Sequence, residues 1–254
     1  MRHFLTILSH EIRMLLVSPS TYVAAVLFMT LMGFIFTTVL ETYTKEAQDL
    51  PPAAMFFQLF WLPVFFMVPL LTMKCLAEER RLGTLETLLT APVNAAEVVL
   101  GKFGATYLLY LGLWGATGGF FVILHHFDRD PRLLEPGPLL GGYLFIAVSG
   151  LMFVALGVLA SSLTRNQAVA AIITVVLTLL LVWGPRIALN HLAVLDLPGL
   201  QPVRAVLDYM LVFRHLDDFS RGVADTRELL YYLSGTALAL VFSVFSVEAK
   251  HLHS

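Results

Sequence analysis

Charged residues are scarce in this chain of 254 residues: 13% are Asp, Glu, Lys or Arg, whereas 58% are hydrophobic and the mean hydropathy is +0.80. A soluble globule of this length needs more polar cover, so a large soluble helical core is disfavoured. Several apolar runs reach the roughly 20 residues that span a bilayer. The net charge of −2 gives no indication of nucleic-acid binding. The composition predicts an all-α membrane protein, with a single domain over residues 1–254.

Cysteine and the common catalytic motifs are also missing. Cys75 is the only cysteine, which excludes a disulfide within the chain. No Gly-rich phosphate loop is present, because Gly101-Lys102 is followed by Phe103, and neither HExxH nor GxSxG occurs. We therefore expect no catalytic residue on this chain, and an intramembrane enzyme is the least favoured alternative.

Histidine pairs offer the only hint of a metal site. They are His125-His126 with Asp128, and His251 with His253. Neither pair has a matched third ligand nearby in the sequence, so solvated side chains are the favoured interpretation and no metal is expected. The predicted spans hold almost no ionisable residues, which argues against an ion-coupled carrier.

The N-terminal segment, residues 1–19, mixes charges with apolar residues. Glu11 and Arg13 interrupt it, which is not typical of a cleavable signal peptide. Apolar positions 4, 8, 12, 15 and 16 share a helical face, so the segment is interpreted as an amphipathic helix on the membrane surface. The alternative is the frayed start of the first span.

Six spans are predicted, at residues 21–40, 55–73, 103–124, 138–162, 168–184 and 229–247. In the third span, Gly115 and Gly119 are four residues apart and predict close helix packing. Aromatic side chains crowd the second span, and they are expected to face lipid and the interface rather than a substrate. These aromatic residues are Phe56, Phe57, Phe60, Trp61, Phe65 and Phe66.

Residues 185–228 are too charged to span and too apolar for a plain linker. One apolar helical face there, with Arg204 and Asp208 opposite, predicts an amphipathic or re-entrant helix. That face consists of Val203, Val206, Leu207, Met210 and Leu211. Asp225 and Glu228 have the spacing of a capping pair for the sixth span.

Six spans place both termini on one side of the membrane. Of the 16 lysines and arginines, eight lie on that side: Arg2, Arg13, Lys74, Arg80, Arg81, Lys102, Arg165 and Lys250. Five of the others lie in the long loop after the fifth span, and long loops cross membranes with little regard to charge. Because the remaining balance is eight against three, the termini are predicted to be cytoplasmic.

The chain is organised around a charged elbow, residues 78–92, between the second and third spans. It begins with Glu78-Glu79-Arg80-Arg81. Gly83 can break the incoming helix and Thr84 can cap a short new helix, which Pro92 would end.

One face of that short helix is made of leucines, namely Leu82, Leu85, Leu88 and Leu89. Glu86 lies off this face. Asn94 and Glu97 have capping-box spacing and would start the next helix. A soluble partner could grip a charged elbow of this shape from outside.

The elbow resembles that of ABC-2 type permeases, the membrane subunits of one class of ATP-binding cassette exporters. Residues 76–103, LAEERRLGTLETLLTAPVNAAEVVLGKF, carry the resemblance, and the matching positions are Glu79, Gly83, Thr84, Leu85, Glu86, Leu88, Pro92 and Lys102. Residues 18–36, with parts of 219–232, resemble the branch of gliding-motility and copper-enzyme maturation permeases.

The resemblance implies a coupling helix in a cleft of a separate ATPase, which binds the ATP and Mg²⁺. The residues expected at that contact are Glu78, Glu79, Arg80, Arg81, Gly83, Thr84, Leu85, Glu86, Leu88 and Pro92. It also implies a second permease chain, identical or related, in the bacterial cytoplasmic membrane. Substrate-binding residues cannot be assigned from the sequence.

A different class of function stays open. The chain could pass ATPase motion to a partner complex without carrying a solute, as a mechanotransmission or assembly subunit. Residues 185–228 would then be placed to meet an extracytoplasmic partner.

Overall fold

The computed structural model describes residues 2–45, 50–84, 94–127, 135–195, 200–223 and 225–251, and no β-strand occurs in these ranges. Six helices have the length and composition to cross a membrane: Pro19–Lys45, Trp61–Leu82, Ala95–His126, Pro136–Leu163, Gln167–Leu192 and Thr226–Ala249. Each overlaps one predicted span, so the all-α membrane fold is confirmed.

In chain order, the described helices are α1 (Arg2–Val17), α2 (Pro19–Lys45), α3 (Pro52–Gln58), α4 (Trp61–Thr72), α5 (Ala77–Leu82), α6 (Ala95–Ala116), α7 (Gly118–Phe127), α8 (Pro136–Leu163), α9 (Gln167–Leu195), α10 (Gln201–Tyr209), α11 (Val212–Ser220) and α12 (Thr226–His251). Prolines at the first turn of α3 and α8 suit a position whose N–H has no helical partner. The second span, Trp61–Leu82, consists of α4 and α5, and the third span, Ala95–His126, consists of α6 and most of α7.

The fourth span, α8, lies at the centre of the bundle and packs against α4, α6, α9, α11 and α12. Glycines make this close approach possible. A Cβ at Gly142 would lie 2.1 Å from Phe57, one at Gly150 would lie 2.3 Å from Tyr110, and one at Gly157 would lie 2.3 Å from the Thr72 hydroxyl. Helix α8 thus packs closely against its neighbours at three positions along its length.

The aromatic residues of the second span and its approach form the core, which corrects the expectation that they face lipid. Phe56, Phe57 and Phe60 have no exposed surface, and Phe65 is also buried. They pack edge to face with rings from other helices, for example Phe57 with Tyr143 at 5.0 Å between centroids. Only Phe66 of the set is strongly exposed, at 62%. Lipid and protein interior are equally apolar, so hydropathy could not separate the two faces.

Two expectations about glycine and proline are also wrong. No atom lies within 4 Å of a Cβ built at Gly115 or Gly119, so neither supports close packing within the described chain. Helix α9 does not stop at Gly184 but continues through Pro185 to Leu195. A proline removes one backbone hydrogen bond, and a helix in an apolar medium tolerates this because neighbouring helices cover the freed carbonyl.

The segment between the fifth and sixth spans forms two short helices. No residue of α10 is buried, whereas α11 buries Val212, His215, Leu216 and Phe219. His215 lies 2.8 Å from the Tyr209 carbonyl oxygen through Nε2 and 3.1 Å from the Tyr232 hydroxyl through Nδ1. Burial lowers the pKa of His215, so its ring is neutral at pH 7, with Nε2 donating to the carbonyl and Nδ1 accepting from the hydroxyl.

The predicted cap of the sixth span is half formed. The Asp225 carboxylate accepts a 2.9 Å hydrogen bond from the Arg227 backbone N–H, as an N-cap should. Glu228 does not complete a capping box, because its side chain is turned into the protein and is only 5% exposed.

The glycine contacts of α8 yield a stability prediction. Gly142→Ala should lower the free energy of unfolding by about 1–3 kcal/mol, because Phe57 is fully buried and has no room to retreat. Gly115→Ala is the matched control, and it should be neutral or stabilising since alanine is the better helix former. Thermal unfolding in detergent measures both, and equal midpoints for the two variants would contradict this account of α8.

Candidate functional site: the base of the charged elbow

The helix of the second span is interrupted at residues 73–76, between α4 and α5 and immediately before the charged run. Ser161 of α8 bridges this break: its Oγ accepts hydrogen bonds from the backbone N–H groups of Leu76 and Ala77, both at 3.0 Å, and donates to the Met73 carbonyl at 3.3 Å. One hydroxyl thereby uses its single donor and both acceptor sites. Because Ser161 is fully buried, the direction in which α5 continues from α4 is fixed by α8.

A buried lysine joins α5 to two other helices. Lys102 of α6 is 4% exposed, and its Nζ lies 2.7 Å from Glu79 Oε1 on α5 and 2.7 Å from Glu11 Oε1 on α1. Gly101 allows α1 to come this close, since a Cβ there would lie 2.7 Å from Ile7. The second Glu79 oxygen, Oε2, is buried and has no hydrogen-bond partner among the described residues. We call Glu11, Lys102 and Glu79 the ion triad.

Arg80 points to a third helix. Its Nη2 donates a 2.9 Å hydrogen bond to the Ser246 carbonyl oxygen of α12, and the side chain is only 8% exposed. Nε and Nη1 are buried without a hydrogen-bond partner in the described part of the chain. Ser246 in turn donates to the Ser162 carbonyl at 3.0 Å. Arg80 therefore ties α5 to the last span and, through Ser246, to the end of α8.

Gly83 ends α5, as the sequence predicts, whereas the short helix that Thr84 is predicted to cap lies outside the described residues. Gly83 adopts φ +71°, a left-handed conformation that glycine takes without strain, and its N–H bonds back to the Glu79 carbonyl. The Thr84 hydroxyl also donates to that carbonyl, at 3.4 Å. Arg81 is exposed, and its Nη2 lies 3.9 Å from Glu78 on the outer side of the helix.

The far side of the elbow also follows prediction at its helix start. Asn94 and Glu97 form the reciprocal capping box at the beginning of α6. The third span therefore starts at a defined residue, about two turns before the Lys102 that enters the ion triad.

The predicted contact residues divide into three groups. Glu78, Arg81, Gly83 and Thr84 lie on the outer side, available to a partner. Glu79 and Arg80 are turned inward, to the ion triad and to α12 respectively. The remaining four lie outside the described residues, and they are Leu85, Glu86, Leu88 and Pro92.

Sequence reasoning missed Glu11, Ser161 and Ser246 as supports of the elbow. The sequence contains an indication that Glu11 has a partner. Its side chain lies on a helical face beside Leu8, Ile12 and Leu15, and a lone charge on an apolar face needs a partner. The serines gave no signal, because serine in a span usually bonds its own helix.

The structure describes only part of the two histidine pairs considered as metal ligands. Within the described ranges no group of three His, Cys, Asp or Glu side chains could hold a metal ion. Of the proposed metal ligands, His125 and His126 lie near the end of α7, whereas Asp128 and His253 lie outside the described residues. The solvated interpretation of these histidines stays a prediction.

The ion triad predicts a large asymmetry between two lysines. Lys102→Met leaves two carboxylates facing each other in a buried site, and should destabilise the protein by about 3–5 kcal/mol. Lys45→Met removes the exposed Lys45–Glu41 pair and should cost at most about 0.5 kcal/mol. Hydrogen exchange of α1 should rise in the first variant only, and comparable exchange in both would contradict the assigned role of Lys102.

Comparison with known proteins identifies the family. A family model described as an ABC-2 family transporter protein matches residues 38–193, more than half of the chain. No curated protein sequence matches the chain. The matched region runs from the end of α2, through the ion-triad residues Glu79 and Lys102, to the last turn of α9. Proteins of this family are the membrane-spanning subunits of transporters whose ATPase is a partner. The six-span chain belongs to the ABC-2 family.

Proposed function

We propose that this protein is the permease subunit of an ABC exporter and that a separate ATPase drives it through the elbow at residues 78–92. The observation that carries the proposal is the support of α5 from three directions, by Ser161 of α8, Lys102 of α6 and Ser246 of α12. A surface loop with no mechanical role does not need such support. ATP and Mg²⁺ would bind to the ATPase, and no cofactor is proposed on this chain.

The three supports turn α5 into a lever. A push on residues after Gly83 reaches α5 directly, and α5 cannot move without shifting Lys102 or parting from it. Parting would leave charges in a poorly solvated site, which costs several kcal/mol. Movement of α5 would therefore shift α6 and, through Glu11, α1. The break between α4 and α5 supplies the pivot.

The outer residues are assigned to the ATPase contact. Glu78, Arg81 and Glu86 would provide charge complementarity and register, with Leu85 and Leu88 as apolar contacts. Glu79 and Arg80, which the sequence alone also placed at this contact, would transmit the displacement from within. This division of labour deepens the sequence-based assignment of these residues.

The wider assembly follows the family. We infer a pair of permease chains, identical or related, in the bacterial cytoplasmic membrane, with both termini and the elbow in the cytoplasm. The gliding-motility and copper-enzyme maturation branch is the proposed subgroup, on the residues that resemble it.

One observation favours a second candidate function. The centre of the bundle is filled by aromatic rings such as Phe56, Phe57 and Phe60, and α10 presents Val203 and Val206 to its surroundings at 46% and 60% exposure. A filled bundle with an exposed apolar face on an amphipathic helix, at the opposite end from the elbow, also suits a mechanotransmission subunit that moves a partner. Transport of any solute by vesicles containing the protein and its ATPase would exclude this candidate.

The elbow assignment predicts a separation of insertion from coupling. Glu86→Lys should insert and fold normally but lower co-purification of the ATP-binding cassette protein, and its transport-dependent hydrolysis, about tenfold, because a reversed charge opposes docking. Glu248→Lys, at an exposed position of α12, is the control and should change neither. If Glu86→Lys behaves like the control, the elbow does not hold the ATPase.

The orientation can be measured by thiol labelling, because the native Cys75 is buried. Thr84 lies one turn after Arg80, which contacts Ser246, whereas Arg227 lies about 30 Å from Ser246 along α12 at 1.5 Å per residue. A membrane-impermeant maleimide should label Arg227→Cys in intact spheroplasts and Thr84→Cys only after permeabilisation. The reverse pattern would place the elbow outside the cytoplasm and contradict the proposed function.

A further inference from the structure

A cleft of about 520 Å³ lies beside the elbow, between the end of α5 and the tight turn from α8 to α9. It is lined by Arg81, Thr164, Arg165, Asn166, Gln167 and Ala168. Among the described residues, its lining holds two guanidinium groups and no carboxylate. A cavity with this lining favours an anion.

The positive charge around the cleft is only weakly compensated by the described residues. Arg80 lies behind it, close enough to Arg165 for mutual repulsion, and two of its three guanidinium nitrogens have no hydrogen-bond partner in the described chain. Of Arg80, Arg81 and Arg165, Arg81 forms an ion pair with a described residue: its Nη2 lies 3.9 Å from Glu78 Oε1, and its side chain is 58% exposed. Such a pair contributes little. Three arginines therefore share one weak acidic partner among the described residues.

The backbone at the cleft adds to the positive potential. Helix α9 begins there, and Asn166 caps it by accepting a 2.9 Å hydrogen bond from the Ala168 N–H through its side-chain oxygen. The N-terminal end of a long helix carries partial positive charge. Arginine side chains bind phosphate oxygens in a bidentate manner, so the chemistry best matched to this cleft is a phosphate group.

The surroundings of the cleft indicate where that phosphate comes from. Apolar side chains flank it and are turned outward: Leu82 is 62% exposed, Leu163 is 51% exposed and Val169 is 42% exposed. The cleft thus lies where the second and fourth spans end and the fifth begins, which corresponds to the level of lipid headgroups, with an apolar surface beside it for acyl chains. A soluble anion gains nothing from that apolar surface.

We propose that the Arg81–Arg165 cleft binds the phosphate group of an anionic phospholipid from the leaflet on the elbow side. The lipid would neutralise the repulsion among Arg80, Arg81 and Arg165, and so hold α5 against the turn between α8 and α9. The proposal requires the six-span fold but does not require that the elbow binds an ATPase.

The test uses the full chain in detergent, with phosphatidylglycerol added against phosphatidylcholine of the same acyl chains. Phosphatidylglycerol should raise the thermal midpoint of the wild type by several degrees more than phosphatidylcholine, since a ligand that binds only the folded state stabilises it. Arg81→Gln with Arg165→Gln should abolish the difference, and Arg81→Gln alone should weaken lipid binding about tenfold in native mass spectrometry. Arg13→Gln, an exposed arginine of α1, is the matched control and should keep the full effect.

Other outcomes would overturn the proposal. Equal stabilisation by the two lipids, or an unchanged preference in the variants, shows that the cleft is not the lipid site. If millimolar inorganic phosphate alone reproduces the effect, the cleft binds free phosphate. If the variants lose the ATPase in co-purification but keep the lipid preference, the arginines belong to the protein interface. Should the double variant not fold, Arg81→Gln at the exposed position still decides the matter.

Discussion

A lysine held between two carboxylates at the edge of the membrane is the constraint on which this structure depends. Removing each ion from water costs several kcal/mol, and only short contacts to opposite charges offset that cost. Lys102 meets both partners at 2.7 Å, and one of them, Glu11, is 91 positions away along the chain. Because separating any member would leave a charge without its partner in a poorly solvated site, we expect α1, α5 and α6 to move together. An ion triad of this kind specifies relative position more than it adds stability.

The central helix α8 provides a rigid support beside these three helices. Helix α8 packs through glycines onto α4 and α6, where the added Cβ atoms would overlap Thr72 and Tyr110. The same helix offers Ser161 to the backbone break that precedes α5. The tight contacts resist sliding, whereas the break between α4 and α5 is bridged by a single hydroxyl, whose hydrogen bonds each contribute only about 1 kcal/mol net. A rigid axis therefore stands beside a break that is able to bend.

Sequence reasoning located the spans, the left-handed Gly83 and the Asn94–Glu97 cap because each depends on neighbours within a few positions. It placed the aromatic residues of the second span against lipid, although most are buried, because lipid and the protein core both favour apolar side chains. It ended the fifth span at Gly184 because residues 185–228 as a whole are too charged to span, although the first of them continue α9 to Leu195. The candidate site was only half predictable: the charged run is visible in the sequence, whereas its partners Glu11 and Ser246 are distant from it. Pairings of that kind are set by tertiary packing, which one sequence does not reveal.

The four consecutive charges Glu78-Glu79-Arg80-Arg81 suggest a single surface patch in the sequence. Helix geometry excludes a single patch. Successive residues of an α-helix point about 100° apart, so four consecutive charges face four directions. Glu79 meets Lys102, Arg80 meets Ser246, Arg81 lines the cleft by Arg165, and Glu78 stays on the outer side. A docking partner can reach only part of such a turn. The run is therefore better understood as a junction, in which one helical turn connects α1, the third span and the last span to a surface that other molecules can bind.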